Sequence, residues 1–158
     1  LASSDQRQYS FRAQLGEAAA DFDVVLIDCP PALGLLTLNS LSWADHVLVP
    51  LQAEFFALEG LAFLLRTLDR VKRSANDRLS LLGVVLTMYD GRNNLAQQVE
   101  NDVRHHLHGR VFDVKIPRNV RLSEAPSHAL PIFDYDARSA GAQAYAALSE
   151  EVIAALKL

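Results

Sequence analysis

The chain has 158 residues, of which 50% are hydrophobic and 22% are charged, and its formal net charge is -4. This composition is typical of a globular domain rather than a disordered one, and the charge gives no support to nucleic-acid binding by itself. A single cysteine, Cys29, excludes an intramolecular disulfide framework, and no apolar run approaches the ~20 residues of a membrane span. We therefore expect a soluble, cytoplasmic single domain over residues 1–158, with no membrane partner.

Short apolar runs and helix-period segments alternate along the chain. The runs at 24–27, 47–49 and 81–88 contain β-branched residues and predict strands buried on both faces. Val111–Pro117 alternates in polarity, which favours an edge strand.

Apolar residues recur at spacings of three or four in the segments 58–71, 95–107 and 145–156, which predicts three helices. The last helix is expected to begin near Asp136 or Ser139, because either side chain can cap it. Strands that alternate with helices predict an α/β fold, with a doubly wound, mostly parallel sheet and helices on both faces.

Asp28 directly follows the first apolar run, within the segment DFDVVLIDCPPALGLL at 21–36. Ligands of open parallel sheets bind beyond the carboxyl ends of strands, so a functional carboxylate is expected at this position. An apolar strand that ends in aspartate is typical of a Walker B motif, which helps to hold Mg²⁺ beside nucleotide phosphates. Pro30 and Pro31 remove backbone donors and end the strand. The alternative is a polar residue in a turn-rich loop.

Three stretches of the sequence resemble ParA/Soj-type partition ATPases, and they occur in the same order as in that family. They are residues 21–61, LLGVVLTMYDGRNNLAQQV at 81–99, and IPRNVRLSEAPSHALPIFDYDARSAGAQAY at 116–145. The similarity covers nearly the whole chain. It implies a P-loop NTPase-like fold and a cytoplasmic, nucleoid-associated ATPase that segregates chromosomes or plasmids.

The phosphate-binding motif of such ATPases is absent from the sequence. None of the seven glycines is followed by lysine, so there is no G-x-x-x-x-G-K-[ST] motif. In the family that the chain resembles, this motif lies upstream of the matched region. We therefore expect Leu1 to be a truncation point, with the N-terminal strands missing, and the chain alone not to hydrolyse ATP.

The resemblance implies roles for individual residues. Asp28 is the expected catalytic and Mg²⁺-binding residue, and the loop 29–37, which includes Pro30, is the expected sensor of the γ-phosphate. Further nucleotide contacts are expected from residues at the ends of the later strands: Thr87, Met88, Pro117, Arg118 and Asn119. The implied cofactors are ATP and Mg²⁺.

Arg92 and Arg121 match positions where the family carries basic residues for non-specific DNA binding, which arginines achieve through phosphate contacts. Residues 82–138 carry seven basic and seven acidic side chains, so composition alone indicates no basic patch. The implied partners are DNA, a ParB-like centromere-binding protein and a second copy in an ATP-held homodimer. Two alternatives stay open: a non-enzymatic remnant that acts as an interaction or DNA-binding module, and a related enzyme with another substrate.

Overall fold

The structure is a computed structural model that describes residues 16–30, 32 and 34–158. A helical turn at 16–19 precedes the main elements, which are α1 (Leu35–Trp43), β1 (His46–Gln52), α2 (Ala57–Ser74), β2 (Ser80–Tyr89), α3 (Asn94–Leu107), β3 (Val111–Pro117), α4 (Val120–Glu124), a 3-10 turn (Ala125–His128), α5 (Ile132–Asp136) and α6 (Ala140–Leu156).

The chain forms two compact units. One contains the residues up to Val47 together with Leu64–Ser80, and the other contains Leu48–Phe63 and Leu81–Leu158. In the part of the chain that the structure describes, no helix is both long enough and apolar enough to cross a membrane.

The three strands form one sheet in the order β1-β2-β3, so β2 is the central strand. β2 and β3 pair in parallel, with Leu86 opposite Lys115 and Tyr89 opposite Pro117. Val84 and Leu86 of β2 are completely buried, as expected for an apolar run that is covered on both faces. The predicted strands at 47–49, 81–88 and Val111–Pro117 are confirmed, and so is the α/β fold with a mostly parallel sheet. The expected burial of the first of these on both faces is wrong, because β1 buries Val49 and Leu51 on one face while Leu48 on the other is exposed.

The predicted strand at 24–27 is wrong. These residues have no regular secondary structure, and the side chains of Val24, Val25 and Leu26 are 44%, 46% and 87% exposed. A strand is held by hydrogen bonds from a neighbouring strand, and no strand among the described residues pairs with this segment. An apolar run indicates that a segment tends to be buried, but it does not show that a neighbouring strand is available to pair with it.

The predicted helices are confirmed. α2 buries Val71 and α3 buries Val103, each on the apolar stripe that the spacing indicates. α6 begins after Ser139, whose hydroxyl oxygen accepts a hydrogen bond from the Ala142 backbone N–H at 3.1 Å. Of the two candidate caps, Ser139 is therefore the N-cap, while Asp136 ends the preceding helix.

α6 packs on β3 and closes a small core of the second unit. Val85, Ile116 and Leu148 are buried in this core, with partly buried apolar side chains around them: Phe112, Val114, Leu122, Ala144 and Val152. This packing fixes the position of the carboxyl ends of β2 and β3, where most of the predicted site residues lie.

Replacing Gly141 with alanine is expected to destabilise the protein by about 1–3 kcal/mol, against the usual benefit of alanine in a helix. A Cβ atom at Gly141 would lie 2.5 Å from the Cγ atom of Leu122, so α4 and α6 approach more closely than a side chain permits. Urea unfolding measures the change. Gly60→Ala in α2 is the matched control, because its Cβ would meet nothing within 4 Å; it should stabilise by about 1 kcal/mol. Equal effects of the two substitutions would contradict the packing argument.

Candidate nucleotide and DNA sites

Asp28 lies in the unpaired segment of the first unit, and its side chain is exposed. Pro30 and Cys29 beside it are also exposed, while Pro31 lies outside the described residues. The carboxylate is therefore accessible to a cation, although it does not follow a formed strand. Among the described residues there is no cluster of three or more potential metal-binding side chains, so Asp28 belongs to no such cluster.

The last residues of the predicted switch loop 29–37 form the first turn of α1, and Thr37 ties this turn to the residues before it. The hydroxyl group of Thr37 is buried and donates a hydrogen bond to the Ala32 carbonyl oxygen at 2.7 Å. Gly34 is the N-cap of α1 with φ −81°, a backbone conformation that any residue adopts. The loop therefore joins α1 through a side-chain hydrogen bond rather than through a special glycine conformation.

The predicted nucleotide contacts of the second unit come together at one edge of the sheet. Thr87 and Met88 lie at the end of β2, and Pro117 ends β3 opposite Tyr89. The Arg118 backbone N–H donates to the Tyr89 carbonyl oxygen at 3.3 Å, which extends the pairing beyond the strands. Carboxyl ends of adjacent parallel strands are the usual place for a ligand in this type of sheet.

Met88 has an unusual backbone conformation at this edge. Its φ is +51°, in the left-handed region that a residue with a side chain adopts rarely. Its side chain is partly exposed at the sheet edge. Asn119, just after the end of β3, is the N-cap of α4. Its side-chain oxygen accepts a hydrogen bond from the Leu122 backbone N–H at 3.3 Å. His108, Ala129 and Lys157 share this conformation but cap helix ends, whereas Met88 lies within a strand at the predicted site.

A charge network that the sequence analysis did not identify connects this edge to α3. Glu100 is only 12% exposed and lies 2.7 Å from the Lys115 ammonium and 3.0 Å from the Arg104 Nε atom. It also accepts a hydrogen bond of 2.6 Å from the Tyr89 hydroxyl. The Lys115 ammonium lies 4.8 Å from the centre of the Tyr89 ring, so the two strands and the helix share one set of contacts.

The network changes the acidity of its members. The hydrogen bond to Glu100, together with burial, raises the pKa of Tyr89. Burial alone raises the pKa of Glu100, but hydrogen bonds from Lys115, Tyr89 and Arg104 outweigh it and lower that pKa overall. Glu100 is therefore ionised at neutral pH. The i,i+4 spacing of Glu100 and Arg104 could have indicated their ion pair, but no spacing indicates the contacts with Tyr89 and Lys115, which come from two strands.

Arg92 lies in the loop after β2 and is paired with Asp90. The guanidinium Nε donates to the Asp90 carboxylate at 3.0 Å and Nη2 donates to it at 2.8 Å. The Arg92 side chain is 92% exposed, so its outer edge faces solvent. Hydrogen bonds from the Arg92 side chain and backbone N–H hold the pKa of Asp90 at about 2.

Arg121 lies on α4 and is paired with two carboxylates. Its Nη1 atom is 2.9 Å from Glu124, and its Nε atom is 3.4 Å from Asp136. The Tyr135 hydroxyl also donates to Glu124, at 3.1 Å. The hydrogen bond and charge of Glu124 raise the pKa of Arg121. Both arginines predicted to bind DNA are therefore exposed but already carry an internal anion.

Each of the two units contains candidate groups for binding a nucleotide or its metal. Asp28 is an exposed carboxylate that fits Mg²⁺, a cation that prefers oxygen ligands and usually retains several waters. The edge formed by Met88 and Pro117 offers apolar surface beside backbone polar groups. The sequence contains no phosphate-binding motif, so these residues do not provide the phosphate-binding part of a nucleotide site.

Comparisons with known proteins agree with the fold and with the resemblance. The AAA domain family matches residues 1–81 of the chain. The chain is 54% identical to the chromosome partitioning protein ParA of Caulobacter vibrioides, over 97% of the chain and 58% of that protein. It is 49% identical to the chromosome-partitioning ATPase Soj of Treponema pallidum, over 98% of the chain and 61% of that protein.

A solved structure gives the same result for the fold. The cobyrinic acid a,c-diamide synthase from Mycobacterium smegmatis with bound ADP and magnesium matches with a TM-score of 0.77 and 36% identity, over 96% of this chain and 55% of that one. The chain thus spans little more than half the length of these relatives. The resemblance to ParA/Soj proteins is confirmed over nearly the whole chain. Because the AAA domain family matches residues 1–81, the chain belongs to that family.

Proposed function

We propose that this chain is the downstream part of a ParA/Soj-type ATPase that partitions chromosomes or plasmids. The observation that carries the proposal is the 54% identity to a chromosome partitioning protein over 97% of the chain. Because the chain spans 58% of that relative, ATP hydrolysis and dimerisation are assigned to the longer protein rather than to these 158 residues alone.

In this proposal Asp28 is the residue that holds Mg²⁺ at the nucleotide. Its exposed carboxylate supplies one oxygen ligand, and the metal, when bound, offsets the negative charge of the phosphates. Pro30 and the rest of the loop 29–37 respond to the γ-phosphate. The hydrogen bond from Thr37 to Ala32 ties the end of this loop to α1, so that a movement of the loop reaches the helix.

The edge at the ends of β2 and β3 is proposed to contact the nucleotide base. Thr87, Met88 and Pro117 supply its strand-end positions, and Arg118 and Asn119 follow directly. The left-handed conformation of Met88 supports this assignment, because it occurs within a strand rather than at a helix end. The solved relative that carries ADP and magnesium supports nucleotide binding by this fold.

Arg92 and Arg121 are proposed to contact DNA phosphates. Both side chains are exposed at loop or helix-terminal positions, where a guanidinium reaches the DNA backbone without reading bases. Two arginines make a small footprint, which a homodimer would double. The proposal further includes a ParB-like partner that stimulates hydrolysis and a cytoplasmic location on the nucleoid.

The experiment uses the 158-residue chain and a chimera in which the upstream part of the Caulobacter relative precedes it. We expect the chimera to bind a fluorescent ATP analogue with Mg²⁺ and to hydrolyse ATP. Asp28→Ala in the chimera should lower the hydrolysis rate by about 100-fold, because the bound metal loses its protein ligand. Asp23→Ala, at an exposed position of the same segment, is the matched control and should leave the rate unchanged.

Two results would contradict the proposal. One is a folded chimera that binds no nucleotide; the other is an Asp28→Ala variant that hydrolyses ATP as fast as its parent. Saturable binding by the 158-residue chain alone, lost in Asp28→Ala, would locate a nucleotide site within these residues.

The second candidate function is that of a non-enzymatic remnant that serves as an interaction or DNA-binding module. The observation that favours it is the absence of a phosphate-binding motif from the sequence. DNA binding by the 158-residue chain without nucleotide would support this candidate. Such binding should be lost on Arg92→Ala and Arg121→Ala and should weaken steeply with salt.

A further inference from the structure

We propose that Asp90, Glu124 and Asp136 are internal counter-ions that compete with DNA phosphates for Arg92 and Arg121. The inference rests on the proposed DNA-binding function and adds a regulation to it. Each arginine is held by a carboxylate before any DNA arrives, at 2.8 Å for Arg92 and 2.9 Å for Arg121. A neutralised guanidinium attracts phosphate less strongly than a free one, so the carboxylates set the affinity of the surface.

The contacts of Arg92 show that access does not limit phosphate binding. Asp90 occupies two of the guanidinium N–H donors, Nε and Nη2. The remaining donors of the five are on the exposed outer edge, where a phosphate can approach without a backbone movement. The Arg92–Asp90 ion pair has no net charge, and this weakens its attraction for a phosphate. The low pKa of Asp90, about 2, keeps its carboxylate ionised through the pH range of a binding assay.

Arg121 is restrained by two anions rather than one. Glu124 contacts Nη1 and Asp136 lies near Nε, so carboxylates face both sides of the guanidinium. Arg121 is also less exposed than Arg92, at 53% against 92%. We therefore expect its phosphate contact to be suppressed more strongly.

Conservative variants separate the charge of these carboxylates from their structural roles. The Asp90 Oδ1 atom accepts a hydrogen bond of 3.0 Å from the Arg92 backbone N–H, and asparagine retains an oxygen for this turn. Glu124 accepts from the Tyr135 hydroxyl, and glutamine retains that acceptor. Asp90→Asn and Glu124→Gln thus remove charge and keep the acceptors of the Arg92 backbone N–H and of the Tyr135 hydroxyl, although Asp90→Asn loses the acceptor of Arg92 Nη2.

The test measures fluorescence anisotropy of a labelled mixed-sequence duplex. It is run with the 158-residue chain and with the chimera in ATP and Mg²⁺, at several salt concentrations. Asp90→Asn should tighten binding about three-fold, and Asp90→Asn combined with Glu124→Gln should tighten it about ten-fold, as expected for exposed ion pairs. The gain should shrink as salt is raised.

Two controls distinguish local competition from a general change in net charge. Asp102→Asn makes the same charge change at an exposed position of α3 whose side chain forms no ion pair among the described residues, and it should have little effect. In an Arg92→Ala background, Asp90→Asn should lose most of its effect, because its partner is absent.

The outcomes also separate this inference from the DNA-binding proposal. If Arg92→Ala and Arg121→Ala weaken binding while Asp90→Asn leaves it unchanged or weaker, the counter-ion inference is overturned and DNA binding stands. In that case the carboxylate orients the guanidinium instead of competing for it. If neither form of the protein binds DNA, or the arginine variants bind normally, both proposals are overturned.

Discussion

Replacing Glu100 with alanine is expected to lower the free energy of unfolding by about 2–3 kcal/mol, and Tm by about 5–10 °C. Glu100 is 12% exposed and accepts from the Tyr89 hydroxyl and from two cations, Lys115 and Arg104. Its removal leaves these groups without their shared acceptor, and the loss of one partner from a largely buried network is costly. Chemical denaturation with a fluorescence or circular dichroism readout measures the change.

Glu100→Gln separates the charge from the hydrogen bond. Glutamine still accepts from Tyr89 but no longer pairs with Lys115, so we expect a loss of about half the alanine value. Glu150→Ala, at an exposed position of α6, is the matched control and should change stability by less than about 0.5 kcal/mol. Similar effects of Glu100→Ala and Glu150→Ala would contradict a stabilising role of the network.

The pH dependence of stability follows from the two shifted groups. The pKa of Glu100 is lower in the folded protein than usual, so its contribution is present at neutral pH and is lost as pH falls through the folded value. The pKa of Tyr89 is raised, so its contribution is present below its usual range and is lost as pH rises through the folded value. The stability difference between the parent and Glu100→Ala should therefore be largest between these limits.

Replacing Asn76 with aspartate is expected to destabilise the first unit by about 3 kcal/mol at neutral pH. Asn76 is 7% exposed, and its Nδ2 group donates to the Leu41 and Ala44 carbonyl oxygens at 3.0 and 2.7 Å. These carbonyls belong to the C-terminal end of α1, where the last turn has no helical donors. A carboxylate at this position has no hydrogen to donate and repels both oxygens.

The alanine variant and the pH dependence test this explanation. Asn76→Ala removes the donor without adding charge and should cost about 2 kcal/mol. Below the pKa of the introduced carboxyl group, Asn76→Asp should recover part of its loss, because the protonated group has one hydrogen to donate. Asn101→Asp on the exposed face of α3 is the charge-matched control. An Asn76→Asp variant that is as stable as this control would contradict the capping role.

Asn76 also shows what a local pattern misses. In the sequence it lies in the polar segment KRSANDRLS at 72–80, which is typical of an exposed loop. In the structure it is buried, because the carbonyl groups that it satisfies lie more than 30 residues earlier in the chain. Hydropathy records the average preference of a residue type, whereas a buried amide depends on the particular acceptors around it.

The sequence by itself determined the order of the three strands and the three long helices, and the relationship to known proteins. The apolar run at 81–88 became the central strand, and alternation in Val111–Pro117 marked the strand at the sheet edge. The spacing of apolar residues located the long helices, and the possible caps Asp136 and Ser139 limited the start of the last one to two positions. These signals are local, because the spacing of apolar residues within a short segment indicates whether one face or both faces of an element are buried.

Only the tertiary structure shows which strands pair and which side chains lie in contact. It left the run at 24–27 unpaired, since a strand needs a neighbour that hydropathy does not specify. It joined Glu100 to β2 and β3, and it placed carboxylates on both arginines that the resemblance marked for DNA. Hydrogen bonds and ion pairs act over about 3–4 Å between groups distant in the chain, so their partners are fixed by packing rather than by sequence spacing.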